Sequence, residues 1–162
     1  MSGGVVIRPA AAGDLAAVRT LFLEYAATLP GVIGLRDFEA ELQALPGAYA
    51  PPRGALLVAV RDDLSGDAGG VVALRSLESD ICEMKRLYLR PDWRGSRAGR
   101  RLVEAVIQAG RDAGYRRMRL DTLPTMLAAR RLYAEFGFQP IPPYCHNPVP
   151  GTEFLELVLR GA

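Results

Sequence analysis

Residues 83–100 read E-M-K-R-L-Y-L-R-P-D-W-R-G-S-R-A-G-R, and this stretch decides the fold. A strand pattern runs to Leu89 and ends at Pro91, and a Gly-containing turn leads at once into a helix pattern. Backbone N–H groups at a helix N-terminus are unpaired and carry partial positive charge. Arg94, Arg97, Arg100 and Arg101 are therefore electrostatically misplaced unless an anion sits among them. Strand, glycine turn and anion-ready helix start together predict a phosphate cradle. The cluster of arginines weighs less than it first suggests, because Lys85 is the only lysine and arginine is nearly the only base used.

Working outward, the next elements complete a strand–helix–strand unit. The helix spans about Arg97 to Asp112 with Leu102, Val103, Val106 and Ile107 on its inner face, and Gly114 caps it. A strand follows from Met118 to Leu123. Pro124 is expected to open another helix, on which Ala129, Leu132, Tyr133 and Phe136 recur at helical spacing up to Gly137. A Pro-rich loop, I-P-P-Y-C-H-N-P-V-P-G, leads to a last strand, Glu153 to Leu159. Upstream, Val5 to Arg8 suits a short strand, and about Ala12 to Leu29 an amphipathic helix stopped by Pro30-Gly31. Phe38, Leu42 and Leu45 mark a second helix. Strands at Ala55–Val60 and Val71–Arg75, joined by a polar Gly-rich turn, form a hairpin that continues into Ile81–Leu89. The expected fold is one α/β domain over residues 1–162, with a mixed, mostly antiparallel sheet and one β-α-β crossover.

Composition excludes several classes. Of 162 residues, 49% are hydrophobic and 23% charged, as in ordinary globular domains. No apolar run approaches the roughly 18 residues that span a bilayer. The start, M-S-G-G-V-V-I-R, lacks the basic and apolar regions of a signal peptide, so a cytoplasmic location is the expectation. Two cysteines and one histidine argue against zinc or iron, and a formal charge of +2 argues against nucleic acid.

The ordered run from Glu83 to Phe138 resembles the GNAT N-acetyltransferase superfamily, which binds acetyl-CoA. Three motifs carry the resemblance: L-Y-L-R-P-D-W at the strand end, R-G-S-R-A-G-R-R-L at the turn, and A-A-R-R-L-Y-A-E-F-G-F on the later helix. It implies that the strands 81–89 and 118–123 splay apart to admit pantetheine. Backbone groups of Leu87 and Leu89, beside Tyr88, would then pair with its amides. The turn Arg94, Gly95, Ser96, Arg97, Ala98, Gly99, Arg100 would bind pyrophosphate, with Arg100 or Arg101 on the ribose phosphate, and Met126 and Ala129 would line the cofactor. In this sequence Arg97 stands where the family usually has a glycine, and Met126 where many relatives have an Asn.

The resemblance also implies catalytic roles. Tyr133 matches the tyrosine that protonates the departing thiolate, although its place beside Leu132 and Phe136 equally suits a core tyrosine. Glu83 lies where some relatives place a general base, with Tyr88 and the acids Asp37, Glu39 and Glu41 as rivals. Strict alternation puts Glu83, Lys85, Leu87 and Leu89 on one face of the strand, so Glu83 could instead simply pair with Lys85. Cys82 has no histidine beside it in sequence, which favours direct transfer in a ternary complex over an acetyl-cysteine intermediate. Trp93 is expected to pack at the strand exit. Tyr144, His146 and Asn147 sit in a loop that could border the acceptor pocket. The acceptor would be an amine on a small molecule or peptide, and a homodimer is compatible with the family. The rival reading is a non-catalytic acyl-CoA-binding regulatory module.

Overall fold

The computed structural model describes residues 4–29, 35–63 and 65–160. Pro30-Gly31, read as the stop of the first helix, lies outside them. Strand β1 (Val5–Pro9) pairs antiparallel with β2 (Ala55–Arg61), which pairs with β3 (Ala68–Glu78), which pairs with β4 (Ile81–Leu89). The chain then crosses through helix α3 (Ala98–Asp112) into β5 (Arg117–Thr122), parallel to β4. Helix α4 (Leu127–Glu135), β6 (Gln139–Ile141) and β7 (Glu153–Val158) follow. The result is a seven-stranded sheet in the order β1-β2-β3-β4-β5-β7-β6, with β4–β5 its parallel pair. Helices α1 (Leu15–Ala27) and α2 (Leu35–Ala44) cover one face and α3 and α4 the other, so the sheet separates two hydrophobic clusters. The expected α/β architecture and the crossover are both present.

Local chemistry explains the departures. Gly69 and Gly70 belong to β3, not to the turn. Both positions have no room for a side chain, Gly69 because the Trp93 indole covers it and Gly70 because Leu89, Ala59 and Leu102 crowd it. A Cβ at Gly69 would come within 2.0 Å of the indole, and one at Gly70 within 2.7 Å of Leu89. Trp93 is buried at the strand exit, as expected, with the Arg61 guanidinium 4.6 Å from its ring centre. Gly69→Ala should cost about 1–3 kcal/mol by overpacking, measured by urea denaturation. An unchanged midpoint would mean that the indole can shift freely. The first helix starts as a single turn of 3-10 helix at Ala12–Asp14. The short strand β6 occupies the start of the segment read as loop, paired to β7. Pro124 does not open α4: Pro124 and Thr125 form a turn, and Met126 stands at the N-cap.

The most consequential departure is in β4. Ala73 pairs with Lys85 and Val71 with Tyr88, so β4 holds one residue more than β3 across this step, and Arg86 sits there at φ 61°. This is a β-bulge. It shifts the alternation by one, so the expectation of a single face from Glu83 to Leu89 fails. Cys82, Met84, Leu87 and Leu89 face the α3 cluster, whereas Tyr88 packs on the α1 cluster. Glu83 and Lys85 look toward α2 across a shared cavity. A left-handed arginine costs about 1–2 kcal/mol. Here the guanidinium is held by Glu41 of α2 through two hydrogen bonds of 2.9 Å each, with the Phe38 ring centre at 5.5 Å.

Candidate active site

The sheet opens just before the bulge. Strands β4 and β5 pair only at Ile81–Arg117, Cys82–Met118 and Glu83–Arg119. From there to their C-terminal ends a cleft separates them. On one side lies a groove of about 420 Å³ walled by Leu87, Tyr88 and Leu89 of β4, Arg94 and Gly99, and Met126, Ala129 and Leu132 at the start of α4. On the other lies a polar cavity of about 410 Å³ whose walls include Phe38 and Glu41 of α2, Glu83 and Lys85 of β4, Asp121 of β5, and His146 and Asn147. A narrow gap of about 60 Å³ joins the region between them, and Tyr133, Asp121, Lys85 and Ala129 line it. Tyr25 of α1 and Met126 border all three spaces. The splayed pair expected from the sequence is thus present.

The turn from Arg94 to Arg100 forms one end of the groove. Gly95 adopts φ 88°, which only glycine takes at little cost. Arg97 is the N-cap of α3 and also holds a left-handed conformation, at φ 64°. The backbone therefore keeps the glycine-like shape even though the residue is arginine. No side chain caps this helix end. Arg101 N–H is the first to find an intrahelical partner, Arg97 C=O at 3.0 Å, so the N–H groups of Ala98, Gly99 and Arg100 are left to a ligand. Space beside Gly99 is open: a Cβ there would meet nothing within 4 Å. Ser96 is exposed, its hydroxyl donating back to Trp93 C=O at 2.6 Å.

The arginines divide. Arg94 borders the groove, its Nε donating to Leu89 C=O at 3.3 Å. Arg100 is paired with Glu135 of α4, and Arg101 donates to the carbonyl of Val5. Neither of the last two lines the groove in this conformation, so each would have to exchange a protein partner for a phosphate.

Tyr133 is buried, with an exposure of 6%, and packs edge-on against Phe138 at 5.6 Å. Its hydroxyl has no hydrogen-bond partner among the described residues, yet no buried side-chain oxygen there lacks one. The hydroxyl therefore opens into the gap it lines. Burial, with the nearby Tyr25 and Asp121, pushes its ionisation above that of a free phenol. Met126 accepts a weak contact from the Thr122 hydroxyl at 3.7 Å, which leaves the start of α4 apolar where it meets the groove.

Glu83 is 2% exposed and fully engaged. One oxygen accepts from Arg75 Nε at 2.8 Å and the other from the Tyr144 hydroxyl at 2.7 Å. Lys85 Nζ stands at 4.0 Å, so Arg75 and not Lys85 is its main partner. Burial and the Glu83 charge raise the Tyr144 phenol. Among the rival acids, Glu41 is committed to Arg86, Asp37 stands exposed at the cavity rim, and Glu39 is exposed and outside the cavity wall. Tyr88 donates to Glu24 at 3.2 Å, a carboxylate that Arg90 also holds. Cys82 is buried on the opposite face, and burial pushes its thiol up to about 12, so it is no ready nucleophile. Tyr25 and Asp121 are central to the site, yet the sequence reading gave neither a role. Tyr25 follows the helical period of a core residue. Asp121 follows strand alternation and acquires meaning only because β4 leaves β5 before reaching it.

The sequence profile of the Acetyltransferase (GNAT) family matches residues 18–138, and the chain belongs to this family of acyltransferases. It is 41% identical over 145 residues to an uncharacterized N-acetyltransferase of Schizosaccharomyces pombe, covering 89% of this chain and 88% of that one. An uncharacterized N-acetyltransferase of Escherichia coli, YjgM, is 29% identical over 76% of this chain and 73% of its own. Among solved structures, a Staphylococcus aureus acetyltransferase of the GNAT family superposes with a TM-score of 0.80 at 17% identity, over 97% of this chain and 100% of that one. The Salmonella typhimurium protein yncA, solved with its cofactor acetyl-CoA, gives 0.73 at 19% identity, over 99% and 96%. Among the described residues no helix is long and apolar enough to cross a membrane.

Proposed function

We propose that the protein transfers an acetyl group from acetyl-CoA directly to a primary amine in a ternary complex. The observation that carries this reading is the meeting of two spaces at one open phenol: a glycine-flanked groove on one side, a polar cavity on the other, and Tyr133 between them. Pyrophosphate would lie on the free N–H groups of Ala98, Gly99 and Arg100, with Arg94 beside it. Pantetheine would follow β4 along Leu87 to Leu89, as a peptide adds to a sheet edge. The amine nitrogen attacks the thioester carbonyl, the C–N bond forms and the C–S bond breaks. The sulfur takes the Tyr133 proton, and the proton lost from the amine passes to water in the acceptor cavity and on to Glu83. Glu83 borders that cavity but not the gap, so its part as base runs through water.

Calorimetry with acetyl-CoA and a thiol-release assay over a panel of amines test this reading. Binding should be tight, thiol release should depend on the amine, and Arg94→Ala should weaken acetyl-CoA about tenfold, the worth of a charge-assisted hydrogen bond. Tight binding without release by any amine would instead favour a regulatory acyl-CoA-binding module, which would use the same groove. No acetyl-CoA binding would overturn both.

A further inference from the structure

The charges that face the acceptor cavity are distributed unevenly. Arg86 and Glu41 neutralise one another through their paired hydrogen bonds. Glu83 is a single carboxylate shared by two cations, Arg75 at 2.8 Å and Lys85 at 4.0 Å, so one positive charge is left over at that end. Lys85 is the less committed of the two, because at 4.0 Å it lies beyond hydrogen-bond distance of the shared oxygen.

Asp121 stands apart from this group. One of its oxygens accepts from the neutral amide of Asn147 at 3.0 Å. Among the described residues the other has no partner, and no cation is paired with it. Asp121 lies past the last paired residue of β5 on the β4 side, Arg119, where the cleft has opened. It is the one carboxylate that borders both the cavity and the gap leading to Tyr133, whereas Glu83 and Arg75 border only the cavity. Asp37, the remaining acid, is exposed at the rim, where water and salt screen it. The cavity therefore offers one uncompensated anion, Asp121, and one uncompensated positive charge shared between Lys85, which borders both the cavity and the gap, and Arg75, which borders the cavity alone.

We propose that the acceptor is a small amino-carboxylate, an amine that carries its own anionic group, with its ammonium on Asp121 and its carboxylate on Lys85 and the Arg75 edge. This rests on the acetyltransferase reading and names the substrate class of that site. A polyamine would leave the Lys85 end facing a second cation, and a peptide N-terminus would replace the α-carboxylate by a neutral amide. Opposite charges met at both ends favour the dipolar acceptor. The volume of about 410 Å³ holds such a molecule with water beside it.

The test compares each α-amino acid with its carboxamide and its decarboxylated amine, alongside spermidine, in the thiol-release assay. At least one amino acid should exceed its carboxamide by tenfold or more in kcat/KM. Lys85→Gln should bring that ratio close to one, mainly by raising KM for the acid. Asp121→Asn should lower kcat/KM for every amine. Calorimetry of amino acids with the CoA-saturated protein gives a readout that does not need turnover. If transfer fails with every amine but an amino acid binds, and Lys85→Gln weakens that binding, the substrate class stands and the transferase reading falls. If spermidine or the carboxamides are preferred, or Lys85→Gln leaves the ratio unchanged, the assignment is wrong even though the enzyme acetylates amines. Neither binding nor turnover of any amino acid would equally overturn it.

Discussion

Tyr133→Phe should lower kcat by about 100-fold or more, the scale of a lost general acid, while the acetyl-CoA dissociation constant moves by less than about twofold. The change removes one oxygen from a ring whose packing against Phe138 is otherwise kept, so the fold should survive. Loss of kcat together with kcat/KM would mark an interaction made only in the transition state. The pH profile offers an independent check. Burial raises the phenol, so Tyr133 stays protonated past the ordinary tyrosine value near 10. The rate should then rise with pH as the amine or its base ionises, with no fall from the acid below about pH 10. Unchanged turnover in the variant would remove Tyr133 as the acid, and a large drop in melting temperature would assign it to the core.

Arg86→Ala should cost about 3 kcal/mol of stability, because it leaves the Glu41 carboxylate without the partner that justifies its burial. The side chains of Arg86 and Glu41 are only 13% and 20% exposed. A melting temperature lower by roughly 6–12 °C is the expected reading for a domain of this size. Arg86→Gly separates two contributions, since glycine accepts φ 61° without strain but still loses the ion pair. If the glycine variant is as stable as the parent, the pair contributes no more than the backbone strain that glycine relieves, about 1–2 kcal/mol. Glu41→Gln, which removes one charge and keeps the shape, should fall between the two.

Much of the fold was legible because its signals are local. Pro91, Gly95 and the apolar period of α3 lie within one short stretch, and the helix, expected from about Arg97, begins at Ala98 with Arg97 as its N-cap. The illegible parts come from contacts distant in sequence. Arg86 bulges because Glu41, far upstream, waits on α2 to take its guanidinium. Gly69 and Gly70 look like turn residues until Trp93 is laid over the first and Leu89 over the second. Glu83 reads as a neighbour of Lys85 by alternation, but the carboxylate is claimed by Arg75 across the strand pair and by Tyr144 from a loop near the other end of the chain. The site shows the same division. Motif spacing pointed to Tyr133 and the Gly95–Gly99 turn, while Asp121 had no motif at all. Its chemistry depends on where another strand stops pairing, and one strand's own sequence does not record that.

Only three residue pairs fasten the β1–β4 half of the sheet to the β5–β7 half. They sit at one end of the cleft, so the two halves behave as the arms of a clip whose width at the mouth is governed by the angle at its fulcrum. Cys82 and Met118 form part of that fulcrum, and α3 rests on it through Gly110, where a methyl would stand 3.1 Å from Met118 and 3.3 Å from the Cys82 sulfur. A change in packing there, far from any reacting atom, would be magnified along the arms before it reached the gap at Tyr133. The distance between donor and acceptor spaces is in this sense a property of a small apolar joint, and it can be tuned without touching a single polar residue of the site.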